Sequence, residues 1–141
     1  MLCVKIYGCE GIMKSYCGTD IIEVERVKKA IINTKGFKEK IYSPLEIECG
    51  EAKGEASVYE YYAGRFAAKE AVYKALSNID SEIEFKNIEI LNDKKNKNRP
   101  FVNILKSNIA NMQKSGELKI DVSISHIKEY ANSVAVVEHN A

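Results

Sequence analysis

A carboxylate at position 70 interrupts what would otherwise be an apolar helical stripe. At about 100° per residue, Glu70 falls in line with Tyr62, Phe66 and Tyr73, with Ala63 and Ala67 beside it. Lys74 lies one turn further on, so a carboxylate and an ammonium project from nearly the same side, flanked by Arg65 and Lys69. Carboxylates are seldom fully buried unless paired or bound to a metal. Two accounts of Glu70 are open at this point: an exposed i,i+4 pair contributing about 0.2–0.5 kcal/mol, or a carboxylate held for an ionic partner. Two other places gather polar groups. Gly18-Thr19-Asp20 precedes an apolar run, and Val122-Ser123-Ile124-Ser125-His126 carries small hydroxyls on one strand face with a histidine at its end. Ser125 and His126 are not a hydrolase pair, because no GxSxG elbow surrounds them. None of the three specifies a reaction alone.

The elements that must position these residues can be read from caps and periodicity. Asp20-Ile21-Ile22-Glu23 has the form of a capping box and predicts a helix from there to about Asn33, with Gly36 as its stop and Ile21, Val24, Val27 or Lys28, and Ile31 as its apolar stripe. Ser43-Pro44-Leu45-Glu46 is a second helix start, with proline at the first helical position. Residues 48–56, with two glycines and mixed charge, read as a loop. Ser57-Val58-Tyr59-Glu60 then opens the long helix that carries Glu70 to about Ser77. From there the period changes to that of strands. Residues 84–91 and 100–105 form a hairpin across the polar loop 92–99, 107–114 a short helix stopped by Gly116, and 118–125 and 131–139 two more strands. There is no internal repeat. Helices first and antiparallel strands later imply an α+β packing.

At 141 residues the chain has one domain's worth of core, and 45% apolar with 29% charged residues fits a globular protein. The longest apolar runs, such as 133–137, are too short to span a bilayer. Residues 1–12 neither alternate nor repeat like the rest and are followed by Met13. They read as a lead outside a domain at 13–141, either flexible or the product of an upstream start codon. They contain Lys5, Glu10 and two glycines but no apolar h-region, so no signal peptide is expected. Cys3, Cys9, Cys17 and Cys49 have no CxxC spacing and no nearby histidine, which argues against zinc and disulfides and for the reduced cytoplasm. A net charge of +1 argues against a general nucleic-acid binder. The charge is uneven: Arg26, Lys28, Lys29, Lys35, Lys38 and Lys40 meet only Glu39 in their stretch. That stretch is either a solvated face or a docking patch for an acidic partner.

Taken together and in this order, the three constellations resemble the short form of the 4′-phosphopantetheinyl transferase family, the holo-[acyl-carrier-protein] synthases. The resemblance runs from Met13 to Glu138. It rests on Gly18-Thr19-Asp20-Ile21, on Gly64-Arg65-Phe66-Ala67-Ala68-Lys69-Glu70-Ala71 with Lys74, and on Ser123-Ile124-Ser125-His126 followed by Tyr130-Ala131. It implies an antiparallel sheet packed against a long helix, one such unit per chain. It also implies a reaction: the phosphopantetheine arm of coenzyme A passes to a serine of apo-acyl carrier protein, releasing adenosine 3′,5′-bisphosphate. Asp20, Glu70 and Lys74 are the implied catalytic residues. Asp20 and Glu70 would hold Mg²⁺, which needs only one or two protein carboxylates beside substrate phosphates. Lys74 would face the leaving phosphate, and Glu70, directly or through a water, would take the serine proton. Arg65, Lys74, Pro100 and His126 are implied for coenzyme A, and Arg26, Lys28 and Lys29 for docking the carrier. The family further implies a cytoplasmic homotrimer with sites between subunits, serving fatty acid biosynthesis, with neither nucleic acid nor membrane as partner.

The chain departs from the family pattern in three places. The glycine-rich turn after the lysine-bearing helix is Ser77-Asn78-Ile79 here, so close backbone approach to a phosphate is less favoured. The family's Gly-Lys-Pro is Asn98-Arg99-Pro100, a mild change because asparagine tolerates the left-handed conformation. Asn33 stands where a further basic residue is common, which shifts carrier affinity toward Lys28, Lys29 or the loop after Gly36.

Overall fold

The computed structural model describes residues 12–140, so the lead at 1–12 falls outside the described residues except for Ile12. Strand β1 (Met13–Glu23) runs without a break into helix α1 (Val24–Asn33). Short helices α2 (Phe37–Ile41) and α3 (Pro44–Glu51) precede the long α4 (Val58–Leu76). After a 3₁₀ turn at Phe85–Asn87 come β2 (Ile88–Asp93), β3 (Arg99–Ile104), α5 (Asn108–Ser115), β4 (Leu118–His126) and β5 (Tyr130–Asn140). The strands form a three-stranded antiparallel sheet in the order β1-β5-β4 and a separate hairpin β2-β3.

The expected α+β packing is observed, with one correction at its start. Asp20 does not cap a helix. It lies in β1, opposite Ser133 of β5, and the helix begins only at Val24, whose backbone N–H donates to Glu129 O at 2.9 Å. The N-cap position belongs to Glu23, which makes no side-chain cap bond. Residues 20–23 satisfy their backbone on the β5 ladder instead, and β-branched Thr19, Ile21 and Ile22 suit that extended form. Ile21 is therefore not part of the helical stripe; it is exposed, while Val24 and Val27 are buried.

Helix α4 is the axis of the molecule. Its buried positions run nearly all the way round, from Tyr62 through Ala63, Ala67, Ala68, Ala71 and Val72 to Ala75 and Leu76. On one side these alanines and aliphatics meet Ile88, Ile90, Val102, Ile104, Ile109, Leu118, Val122, Ala135 and Val137. On the other, Tyr62, Ala63 and Ala67 meet Val24, Val27, Tyr42 and Ala131. Small side chains let neighbouring backbones come close. At Gly18 the approach is extreme: a Cβ there would lie 1.9 Å from the carbonyl oxygen of Ala71, so β1 can cross α4 at this point only with glycine.

Other local signals hold. Ser43 accepts from Glu46 N in a complete capping box, with Pro44 at the helix start. Ser107 caps α5, and Gly116 ends it in the left-handed region at φ 79°. Asn98 adopts φ 59° in the β2–β3 loop. Ser57 precedes α4 but makes no cap bond to it. Three segments differ from expectation: residues 37–41 form α2 rather than loop, α3 continues to Glu51, and the strand expected from 84 begins only at Ile88, after the 3₁₀ turn.

Candidate active site

The close crossing at Gly18 sets the position of the residues that follow it in β1. Asp20 projects toward α4, where Lys74 Nζ lies 3.4 Å from Asp20 Oδ1 and donates to Thr19 O at 2.9 Å. Thr19 Oγ1 and Asn132 Nδ2 tie the same stretch of β1 to β5, donating to Ser133 O and Asp20 O at 3.1 and 3.0 Å. Glu70 is one turn before Lys74, half-buried on the narrow open strip of α4 that it shares with Phe66 and Tyr73. Burial first, and then the charge of Asp20, push the Glu70 carboxyl above its ordinary value, while Lys74 pulls the other way. Two carboxylates within each other's field and one lysine form a centre with unrelieved negative charge. Such a pair of oxygen donors suits a hard divalent cation that keeps waters and substrate phosphates as its other ligands.

A second group sits further toward the N-terminus of α4. Arg65 is buried, stacks on Tyr61 with its guanidinium carbon 4.7 Å from the ring centroid, and donates from Nη2 to Asn92 Oδ1 at 2.7 Å. Its Nε is buried and has no hydrogen-bond partner among the described residues. A cavity of about 190 Å³ opens here, lined by Arg65, Lys53, Gly64, Asn92, Ile124 and His126 among others. Across the shared wall of Tyr61, Arg65 and Asn92 lies a more apolar cavity of about 390 Å³, which includes Leu45, Ala52 and Leu91. Cationic groups around one cleft, with an aromatic wall and apolar side chains beyond, suit a ligand that combines phosphate with a flat ring.

A model of the 4′-phosphopantetheinyl transferase superfamily matches residues 16–135. The chain belongs to this superfamily. It is 40% identical over 121 residues to a holo-[acyl-carrier-protein] synthase of Fusobacterium nucleatum, covering 85% of this chain and 95% of that one. It is 42% identical over 127 residues to one from Ruminiclostridium cellulolyticum, covering 89% and 92%. Among solved structures, a holo-(acyl-carrier-protein) synthase from Bacillus anthracis in complex with CoA (3′,5′-ADP) matches with a TM-score of 0.73 at 33% identity, over 91% of this chain and 99% of that one.

Within this transferase fold the expected site residues fall into separate groups on one chain. Asp20, Glu70 and Lys74 come together at the β1–α4 crossing. Arg65 and His126 share the smaller cavity, whose lining does not include those three. Pro100 lines a different depression, between β3 and β4, with Arg99 and Asp121. Arg26 and Lys29 are exposed on α1, and Lys28 is half-buried, its Nζ 5.4 Å from the centroid of the Tyr59 ring. Lys38 is bound instead to Glu51.

The sequence reading missed the fate of Lys69, which was taken only as a flanking charge. It is fully buried, donating to Glu46 Oε1 at 2.6 Å and to the carbonyls of Ile88 and Phe85 at 2.6 and 3.0 Å. Glu46 also receives Ser43 N at 2.8 Å, and Ser43 Oγ donates to Glu89 Oε2 at 2.6 Å. This network fastens α3 and the β2–β3 hairpin to α4, and so fixes Asn92 beside Arg65. Burial pushes both partners toward their neutral forms and their mutual attraction pulls them back. The capping box at Ser43 was a visible signal for Glu46; nothing local marked Lys69 as its partner. Asn92 and Tyr61 were missed for the same reason, since only the fold brings them to Arg65.

Proposed function

We propose that this chain is a magnesium-dependent holo-[acyl-carrier-protein] synthase. It transfers the 4′-phosphopantetheine of coenzyme A to a serine of apo-acyl carrier protein and releases adenosine 3′,5′-bisphosphate. The observation that carries this reading is the convergence of Asp20 from β1 with Glu70 and Lys74 from α4. The serine Oγ forms a new bond to the phosphorus nearer the pantetheine, and the pyrophosphate P–O bond to the nucleotide breaks. Asp20 and Glu70 would hold Mg²⁺, which when bound offsets charge on the phosphoryl oxygens. Lys74 lies where its ammonium can meet the departing phosphate. Glu70, directly or through a water, is the acceptor for the serine proton. Arg65 and His126 bind the nucleotide end, with Pro100 contributing from its separate depression between β3 and β4. Arg26, Lys28 and Lys29 offer cations to an acidic carrier, a contact that raises encounter rate and fixes orientation.

The working form is a homotrimer with sites completed between subunits. Two features support this. On one chain the Arg65–His126 cavity is separate from the Asp20–Glu70–Lys74 centre. In addition, the outer face of the sheet exposes Val134 and Val136, with Cys17, Thr19 and Ser123 among the neighbouring register positions and Asp121 beside Val136 on β4. An exposed apolar strip of this kind suits packing of one sheet on another. No described helix is long and apolar enough to cross a membrane. The reading makes this a cytoplasmic enzyme of fatty acid synthesis.

Mass spectrometry of an apo-acyl carrier protein incubated with this protein, coenzyme A and Mg²⁺ tests the reading. The expected result is a gain of one phosphopantetheine, lost with a chelator and reduced on the order of 100-fold or more in Glu70→Gln. No gain across several carriers, with the protein folded, would leave a binding module rather than an enzyme.

A further inference from the structure

Glu60 is a carboxylate in a cavity otherwise suited to phosphate. It projects from the first turn of α4, and its Oε2 lies 3.1 Å from His126 Nδ1 at the end of β4. The two meet because α4 and β4 pack closely one turn further on, where a Cβ on Gly64 would sit 3.2 Å from Ile124 Cγ2. The charged groups lining this cavity are Lys53 from the loop before α4, Glu60 and Arg65 from α4, and His126 from β4. Glu60 is the one anion among them. Placed there to meet a phosphate directly, it would repel it. Placed against Nδ1 at 3.1 Å, it does something else: it occupies that edge of the imidazole and leaves Nε2 as the nitrogen free to face a ligand.

We infer that Glu60 is a positioning residue, acting through His126 to aim its imidazole at a phosphate on the nucleotide end of coenzyme A. This rests on the transferase reading above and adds to it a residue that touches no reacting atom. Glu60 is about a quarter exposed as a side chain, at 23%, and His126 about half, at 48%. The pair is therefore free to serve a ligand rather than to hold the core. It follows that Glu60 helps binding although its charge has the wrong sign for the substrate.

The test is a double-mutant cycle of Glu60→Gln and His126→Ala, read as KM for coenzyme A and kcat with a fixed apo-carrier. Glu60→Gln is isosteric, and a thermal melt checks that each variant folds. Alone it should raise KM roughly five- to tenfold, with the change falling on KM rather than kcat. In the His126→Ala background the same substitution should change KM by less than about twofold, because the group through which it acts is gone. Two outcomes would overturn the inference: a KM that stays or falls in Glu60→Gln, as simple repulsion of phosphate predicts, or an equal cost in both backgrounds. Wild-type protein that modifies no carrier would sink the transferase reading and this inference with it. Active wild-type with an indifferent Glu60→Gln would sink this inference alone.

Discussion

Lys69 and Glu70 leave α4 about 100° apart, one into the core and one onto the open strip, and removing charge has opposite consequences at the two. Glu70 is half-buried and raised by its own desolvation and by Asp20, so its ionised form is less favoured in the folded chain than in the unfolded one. In metal-free buffer at neutral pH, Glu70→Gln should therefore raise stability slightly, by a few tenths of a kcal/mol, while transfer activity collapses. A urea titration beside the activity assay separates the two effects, and a marked loss of stability would mean that Glu70 is structural. Lys69 has no such freedom. Its ammonium is the donor to Glu46 and to two carbonyls in the interior. Lys69→Met leaves a buried carboxylate and two carbonyls without their cation and should cost about 3–5 kcal/mol in the same titration. Adding Glu46→Gln should recover part of that loss, since an amide leaves no bare charge inside. The half-buried carboxylate at Glu70 was legible from helical spacing because position and charge conflicted within one turn. Lys69 was not, because a lysine flanking a motif looks the same whether it faces water or the core. Its partner comes from another helix, and its acceptor carbonyls from β2 and the turn before it.

At the scale of elements, the crossing of β1 over α4 has no tolerance. Gly18→Ala would drive a methyl into the Ala71 carbonyl at 1.9 Å. Strand or helix must shift, at a cost of roughly 1–3 kcal/mol or more. Activity should fall further than stability alone explains, because Asp20 moves away from Glu70; comparing denaturation with turnover of the folded fraction checks this. The α2–α3 corner is governed by a milder device. Glu51 accepts from Lys38 at 2.5 Å and from Tyr62 Oη at 2.9 Å, and these bonds hold its carboxyl below the ordinary value. A depressed folded pKa contributes stability above the unfolded value of about 4.3 and loses it as pH falls through the folded one. Glu51→Gln should thus cost under about 1 kcal/mol at neutral pH, since the pair is largely exposed. That difference should shrink in acid melts as pH falls below the unfolded value and vanish beneath the folded one. Most elements were legible through local chemistry: the box at Ser43, the cap at Ser107, and the left-handed positions Asn98 and Gly116. The failure at Asp20 is instructive. Asp-Ile-Ile-Glu satisfies every local rule for a helix start, yet β5, at the far end of the chain, decides that these residues are strand. The close contact at Gly18 was equally invisible, since its reason lies on another element.

For the whole molecule, the proposed trimer predicts that the exposed valines of the outer sheet face tie assembly to activity. Val134→Asp should leave the fold intact, because the residue already faces outward. It should convert a trimer to monomers in light scattering, with loss of transfer. A monomeric wild type of full activity would refute sites shared between subunits. The same sheet has a consequence for the order in which the molecule is made. Met13 pairs with Asn140 and Asp20 with Ser133, so the first described strand closes on the last. On a ribosome, α4 with Glu70 and Lys74 can form early from local contacts, but β1 has no ladder until β5 clears the exit tunnel. The placing of Asp20 beside Glu70 thus waits for a strand more than a hundred residues downstream. A product truncated before β5 would carry Glu70 and Lys74 on α4 with no strand to hold Asp20 against them.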